Sequence, residues 1–129
     1  SDATFNISRA VLVVEALRSN DLSLLGQAMQ DRLHQPYRLK MLPGCEAALI
    51  AARGSGAAAA ALSGAGPGLI AFTANDPQQV AEAMQAALED AGVPSRKLIL
   101  STSNLGAEVK SANAARLEDP LELGEPKPS

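Results

Sequence analysis

The sequence predicts an α+β sandwich in which helices cover one face of an antiparallel sheet and a helical pair precedes it. Three observations carry that expectation. Apolar residues recur at helical spacing through the first third of the chain. Two short apolar runs, residues 57–62 and 69–72, flank a six-residue glycine-rich segment. A proline-capped helical pattern then runs from Asp76 to Gly92.

The elements follow in order. In residues 3–17, Phe5, Ile7, Ala10, Val11, Val14 and Leu17 fall near one face of a helix that Asp2 or Thr4 can cap. Asp21 can cap a second helix running to about Leu33, with Leu24, Leu25, Ala28 and Met29 on one side. Residues 34–43 contain Pro36 and Pro43, which lack a backbone donor and bias their predecessors away from helix, so this cation-rich stretch is expected to be a loop. A third helix over residues 44–53 should stop at Gly54 and Gly56. The alanines of residues 57–61 favour helix by propensity. Lying between a glycine stop and a glycine loop that leads into Leu69-Ile70-Ala71-Phe72, they are nevertheless assigned to a strand whose small side chains let a helix approach closely. Asp76-Pro77 caps the next helix, with Val80, Ala83, Met84, Ala87 and Leu88 on its apolar face. Residues 97–100 read as a strand, and residues 106–109 as a candidate strand. From Ser111 on, prolines and acids with little periodicity predict a weakly ordered tail, so the chain divides into a domain at 1–110 and a tail at 111–129.

Composition excludes several classes of protein. Leu, Ile, Val and Phe number 30 of 129 residues, enough to bury a core, and there is no Trp, so that core must be aliphatic. No run approaches a membrane span. Residues 1–56 carry a net +1 and residues 57–129 a net −4, which is not the basic footprint of a nucleic-acid binder. A single Cys45 cannot form an internal disulfide, and with a single His34 it gives no zinc spacing, so a reducing, cytoplasmic setting is expected. The chain lacks a signal peptide and an initiator Met, and it is expected to begin inside a longer protein.

Two segments could carry chemistry. Ser63-Gly64-Ala65-Gly66-Pro67-Gly68 can present backbone N–H groups to an anion. It is neither the lysine-containing phosphate loop nor the dinucleotide fingerprint, and a tight turn between strands would use the same glycines. In Asp31-Arg32-Leu33-His34-Gln35-Pro36-Tyr37-Arg38, the cations Arg32 and His34 are accounted for by the dipole at a helix end. Arg38 lies beyond that helix and is the better candidate to fork a carboxylate or phosphate. Cys45 reads as a small core residue and Asp31 as a surface charge or an orienting partner for Arg38 or Arg32. No residue is assigned a catalytic role and none a metal.

The segments Phe5-Asn6-Ile7-Ser8-Arg9-Ala10, Asp31 through Arg38, Leu42-Pro43-Gly44 and Leu62-Ser63-Gly64-Ala65-Gly66-Pro67 resemble, in order and spacing, the C-terminal half of the homoserine kinase family. That family belongs to the superfamily of galactokinase, homoserine, mevalonate and phosphomevalonate kinases. The resemblance runs from about Ala3 to Val109. It implies a ferredoxin-like sandwich and transfer of the γ-phosphoryl of MgATP to the hydroxyl of L-homoserine, a step of threonine biosynthesis. It further implies that Arg38 holds the substrate carboxylate and that Gly64, within the loop Ser63, Gly64, Ala65 and Gly66, lies against the bound amino acid. Pro67-Gly68 departs from the usual Pro-Thr or Pro-Ser ending. The nucleotide signature Gly-Leu-Gly-Ser-Ser-Ala is absent from these residues, so ATP and Mg belong to the complete enzyme and the chain is expected to be an inactive C-terminal fragment. The expected partners are L-homoserine and the N-terminal ATP-binding domain, with no nucleic acid and no membrane. A stand-alone amino-acid-binding module and a homodimerising structural domain are the competing readings.

Overall fold

The computed structural model describes residues 1–103 and 105–107. Its elements are α1 (Asp2–Ser19), α2 (Leu22–Ala28), α3 (Gln35–Leu39), α4 (Cys45–Gly54), β1 (Ala59–Leu62), β2 (Leu69–Phe72) and α5 (Pro77–Asp90), an α+β arrangement around a two-stranded antiparallel sheet. Ala59 pairs with Phe72 and Leu62 with Leu69, so the glycine-rich segment is the hairpin connection.

Tertiary packing decides the conformation of the alanine run. All four residues of β1 are buried, and successive side chains point to opposite faces. Ala60 joins Leu49, Ala52 and Val80 of α4 and α5, whereas Ala59 joins Ala16 and Leu25 of α1 and α2. The helical pair therefore sits across the sheet from α4 and α5. Larger side chains would hold these layers apart. A Cβ added to Gly26 of α2 would collide with the Ala58 carbonyl oxygen, and one added to Gly44, ahead of α4, would lie 2.7 Å from the Ala91 methyl. Such close approach outweighs alanine's preference for helix, because propensity is a weak prior beside burial.

Caps agree with the sequence at two helices. The Asp21 carboxylate accepts from the Leu24 N–H at 2.8 Å, and the Asp76 carboxylate from the Gln78 and Gln79 N–H groups at 2.9 and 3.1 Å. Four expectations are corrected. First, α2 stops at Ala28 and does not reach Leu33. Second, residues 34–43 are not all loop, because α3 forms with Pro36 in its first turn, where no intrahelical donor is needed. Third, the apolar face read for α1 is largely outward: Ile7, Val11, Val14 and Leu17 are 54–68% exposed, and the helix packs through Val13 and Ala16. Fourth, residues 97–100 join no ladder, and Leu98 and Leu100 are exposed. The candidate strand at 106–109 lies partly, and the tail at 111–129 wholly, outside the described residues.

Candidate functional site

Asp31 organises the approach to the site. One carboxylate oxygen accepts from the His34 and Gln35 N–H groups at 2.6 and 2.8 Å, where α3 begins. The other accepts from the Asn6 side-chain amide at 2.7 Å. Partial burial opposes ionisation of Asp31, but those three hydrogen bonds together with the His34 charge outweigh it and hold the carboxyl below its ordinary range.

From α3, two side chains reach the hairpin connection. The Gln35 Oε1 accepts from the Leu62 N–H at 2.8 Å, at the last residue of β1. The Arg38 Nε donates to the Ala65 carbonyl at 3.1 Å. Both segments singled out from the sequence thus converge. Among the described residues the Nη1 and Nη2 groups of Arg38 have no hydrogen-bond partner, so the end of the guanidinium fork is available to an anion.

The loop is closed by backbone bonds from the Ser63 N–H to the Gly68 carbonyl (2.8 Å) and from the Gly66 N–H to the Ser63 carbonyl (3.2 Å). Gly64 and Gly66 have φ of 59° and 77°, in the left-handed region that side chains disfavour. Their surroundings differ. A Cβ at Gly64 would meet nothing within 4 Å, whereas one at Gly66 would lie 2.8 Å from a Leu42 methyl. Gly64 faces open space, and Gly66 packs against the protein.

Gly64 lines a cavity of about 340 Å³ with Asn6, Arg9, Asp31, His34 and Gln35. That size suits a small polar molecule. Arg38 is not among the lining residues; it bonds to the adjoining loop through the Ala65 carbonyl. Arg9, which the sequence reading passed over, is the cation within the cavity. Its guanidinium lies 4.6 Å from the centre of the Phe5 ring and donates through Nη1 to the Gln27 carbonyl at 3.4 Å, and its buried Nε has no partner among the described residues. Arg32 lies 3.8 Å from the same ring. In sequence, Arg9 is separated from the loop by some fifty residues of other structure, and only the one-turn spacing from Phe5 hinted that ring and cation share a helix face.

A larger groove of about 820 Å³ runs between α5, β2 and residues 93–102. Its walls are mainly apolar, with Arg96 and Lys97 among the lining residues. Cys45, which borders it, is buried, and burial pushes its thiol up, away from the reactive thiolate.

The arrangement is that of a polar, cation-bearing cavity walled by a glycine hairpin on an α+β domain. The chain belongs to the GHMP kinases C-terminal family, whose model matches residues 13–90. Within that class it is similar to homoserine kinases: 45% identical over 108 residues to the one from Moorella thermoacetica, covering 84% of this chain and 36% of that relative. It is 37% identical over 111 residues to the one from Aquifex aeolicus, covering 85% and 37%. The crystal structure of homoserine kinase from Cytophaga hutchinsonii superimposes with a TM-score of 0.64 at 30% identity, over 69% of this chain and 29% of that one. The chain thus spans little more than a third of the length of these curated relatives.

The described residues of the cavity offer no ligand set for Mg. Among the described residues Asp31 is the only carboxylate lining the cavity, both its oxygens are committed to protein donors, and no group of three acidic, Cys or His side chains could hold a metal ion. No nucleotide site is assigned to this chain.

Proposed function

We propose that the chain is the acceptor-binding C-terminal part of a homoserine kinase. In the complete enzyme it would hold L-homoserine while the γ-phosphoryl of MgATP passes to the side-chain hydroxyl. The single observation that carries this reading is the Arg38–Ala65 hydrogen bond, which joins the two segments whose residue patterns point to this family. The acceptor is a zwitterion, and its carboxylate needs fixed cations in a partly dry site. Arg9 supplies one from within the cavity, and the resemblance implies the free end of Arg38 as a second, reaching from the hairpin side; the Gly64 backbone provides a wall without a side chain, and the hydroxyl is left facing away toward the phosphoryl donor. Binding of nucleotide and Mg falls to the N-terminal ATP-binding part of the enzyme, and the setting is cytoplasmic.

The test is a chimera in which this chain replaces the corresponding third of the Moorella thermoacetica homoserine kinase. Phosphorylation of L-homoserine by the folded chimera is the expected result. Preference for another small alcohol over homoserine would overturn the assignment. Calorimetry on the 129-residue chain alone should show no micromolar binding of MgATP or of L-homoserine. Tight binding of the amino acid without nucleotide would favour a stand-alone amino-acid-binding module instead.

A further inference from the structure

Asn6 and Asp31 form a contact that neither the fold nor the acceptor reading has so far used. The Asn6 amide nitrogen donates to the Asp31 carboxylate at 2.7 Å, and the Asn6 carbonyl oxygen accepts from the Arg32 N–H at 3.0 Å. One side chain of α1 thereby grips both the side chain and the backbone of the connection that leads into α3. The other Asp31 oxygen takes the His34 and Gln35 N–H groups. Four hydrogen bonds converge on two short side chains with few rotatable bonds.

What lies at each end gives the pair its significance. Arg9 is three residues beyond Asn6 on α1, almost one turn along, and lines the same cavity. Gln35 and Arg38 are on α3, whose first N–H, that of Gln35, bonds to Asp31, and they hold the Leu62 N–H and the Ala65 carbonyl. Few other contacts set α3 relative to α1, because α3 has five residues, none of them buried. We infer that Asn6 and Asp31 are positioning residues: their reciprocal clamp fixes the α1 cation against the α3 segment that carries Arg38 and grips the glycine hairpin, and so sets the cavity for its acceptor. The acceptor part of this inference rests on the homoserine kinase reading; the clamp itself does not.

The chemistry permits a sharp test, because the pair can be exchanged. Asn6→Asp alone sets two carboxylates against each other, and Asp31→Asn alone sets two amides against each other. Combining Asn6→Asp with Asp31→Asn restores all four hydrogen bonds, with carboxylate and amide traded. Hydrogen exchange on the 129-residue chain reads the clamp without substrate. Each single variant should speed exchange of the Leu62 N–H by about tenfold or more while the α4 amides stay protected, and the double variant should return to within about threefold of the parent. In the Moorella chimera, the KM for L-homoserine should rise and recover in the same order, with the KM for ATP unmoved. Unchanged Leu62 exchange in the single variants, or no recovery in the exchanged pair, overturns the clamp whatever the chimera accepts. Exchange that moves while the homoserine KM does not overturns its link to substrate positioning. A chimera inert toward homoserine, with exchange behaving as expected, supports the clamp and counts against the acceptor reading alone.

Discussion

Between α4 and α5 the contacts are aliphatic and dense: Leu49 and Ala52 meet Val80 and Met84, and Gly44 sits against Leu88 and Ala91. Between α1, α3 and the hairpin they are polar and sparse, running Asn6 to Asp31, Gln35 to Leu62 and Arg38 to Ala65. The first region is held by non-directional burial, which tolerates small shifts. The second is held by hydrogen bonds whose strength falls steeply with misalignment. Candidate ligand groups are confined to the second region, where orientation is specified atom by atom. Stability and site geometry are therefore separable in this chain.

The largest effect is expected in the aliphatic region. Leu49→Ala removes one of the two largest fully buried side chains and should cost about 2 to 5 kcal/mol in denaturant unfolding of the chain. In a chimera that remains folded, the KM for homoserine should be unchanged. Arg38→Ala should do the reverse. It should lower kcat/KM for homoserine by about 1.5 to 3 kcal/mol, the range for hydrogen bonds to charged groups, with ATP binding preserved. An unchanged specificity constant would make Arg38 only a support for the loop.

Gly64→Val tests the boundary between the regions. A branched residue at φ 59° should cost about 1 to 3 kcal/mol of stability through backbone strain. Because no protein atom lies within 4 Å of a Cβ there, the side chain would extend into open space beside the cavity and should also lower kcat/KM. A variant that melts early but keeps its specificity constant would remove Gly64 from the substrate wall.

The smallest effect is expected with pH. Because the folded Asp31 carboxyl is held below its ordinary range, its contribution to stability is complete above the unfolded value of about 4 and declines as pH falls through the lower folded value. Acid unfolding of Asp31→Asn, followed by circular dichroism, should show a shallower pH dependence in that window than the parent. An identical slope would mean that the hydrogen bonds to Asp31 do not favour its charged form.

Local chemistry made some of the fold legible. Asp21 and Asp76-Pro77 announce their helices because the capping groups lie within three residues of the donors they satisfy. The strand assignment for the alanines also holds, since the flanking glycines and Leu69–Phe72 leave room for a hairpin. Other features depend on distant partners. Asp31, three residues past the end of α2, takes the His34 and Gln35 amides where α3 begins, and α3 exists although Pro36 reads as a breaker. The face of α1 was misread because apolar residues lie on several sides of that helix, and only contact with Leu25 and Ala59 selects Ala16. The convergence of Arg38 with the hairpin was anticipated through resemblance, not through spacing. Arg9 was missed because its place in the cavity is a tertiary fact.

The alanine seam between the two helical layers has a further consequence, entropic in kind. Alanine has no rotamers to lose, so the centre of the sheet becomes ordered at almost no side-chain entropy cost, unlike a seam of leucines or methionines. The same economy removes adaptability. Methyl groups cannot rotate out of the way, and Gly26 of α2 already lies against the backbone of Ala58, just before β1, so added volume at this seam must move whole helices. Because α1 and α2 lie on one side of β1 and α4 and α5 on the other, such a displacement would reach the arginine on α1 and the hairpin that leaves β1 together.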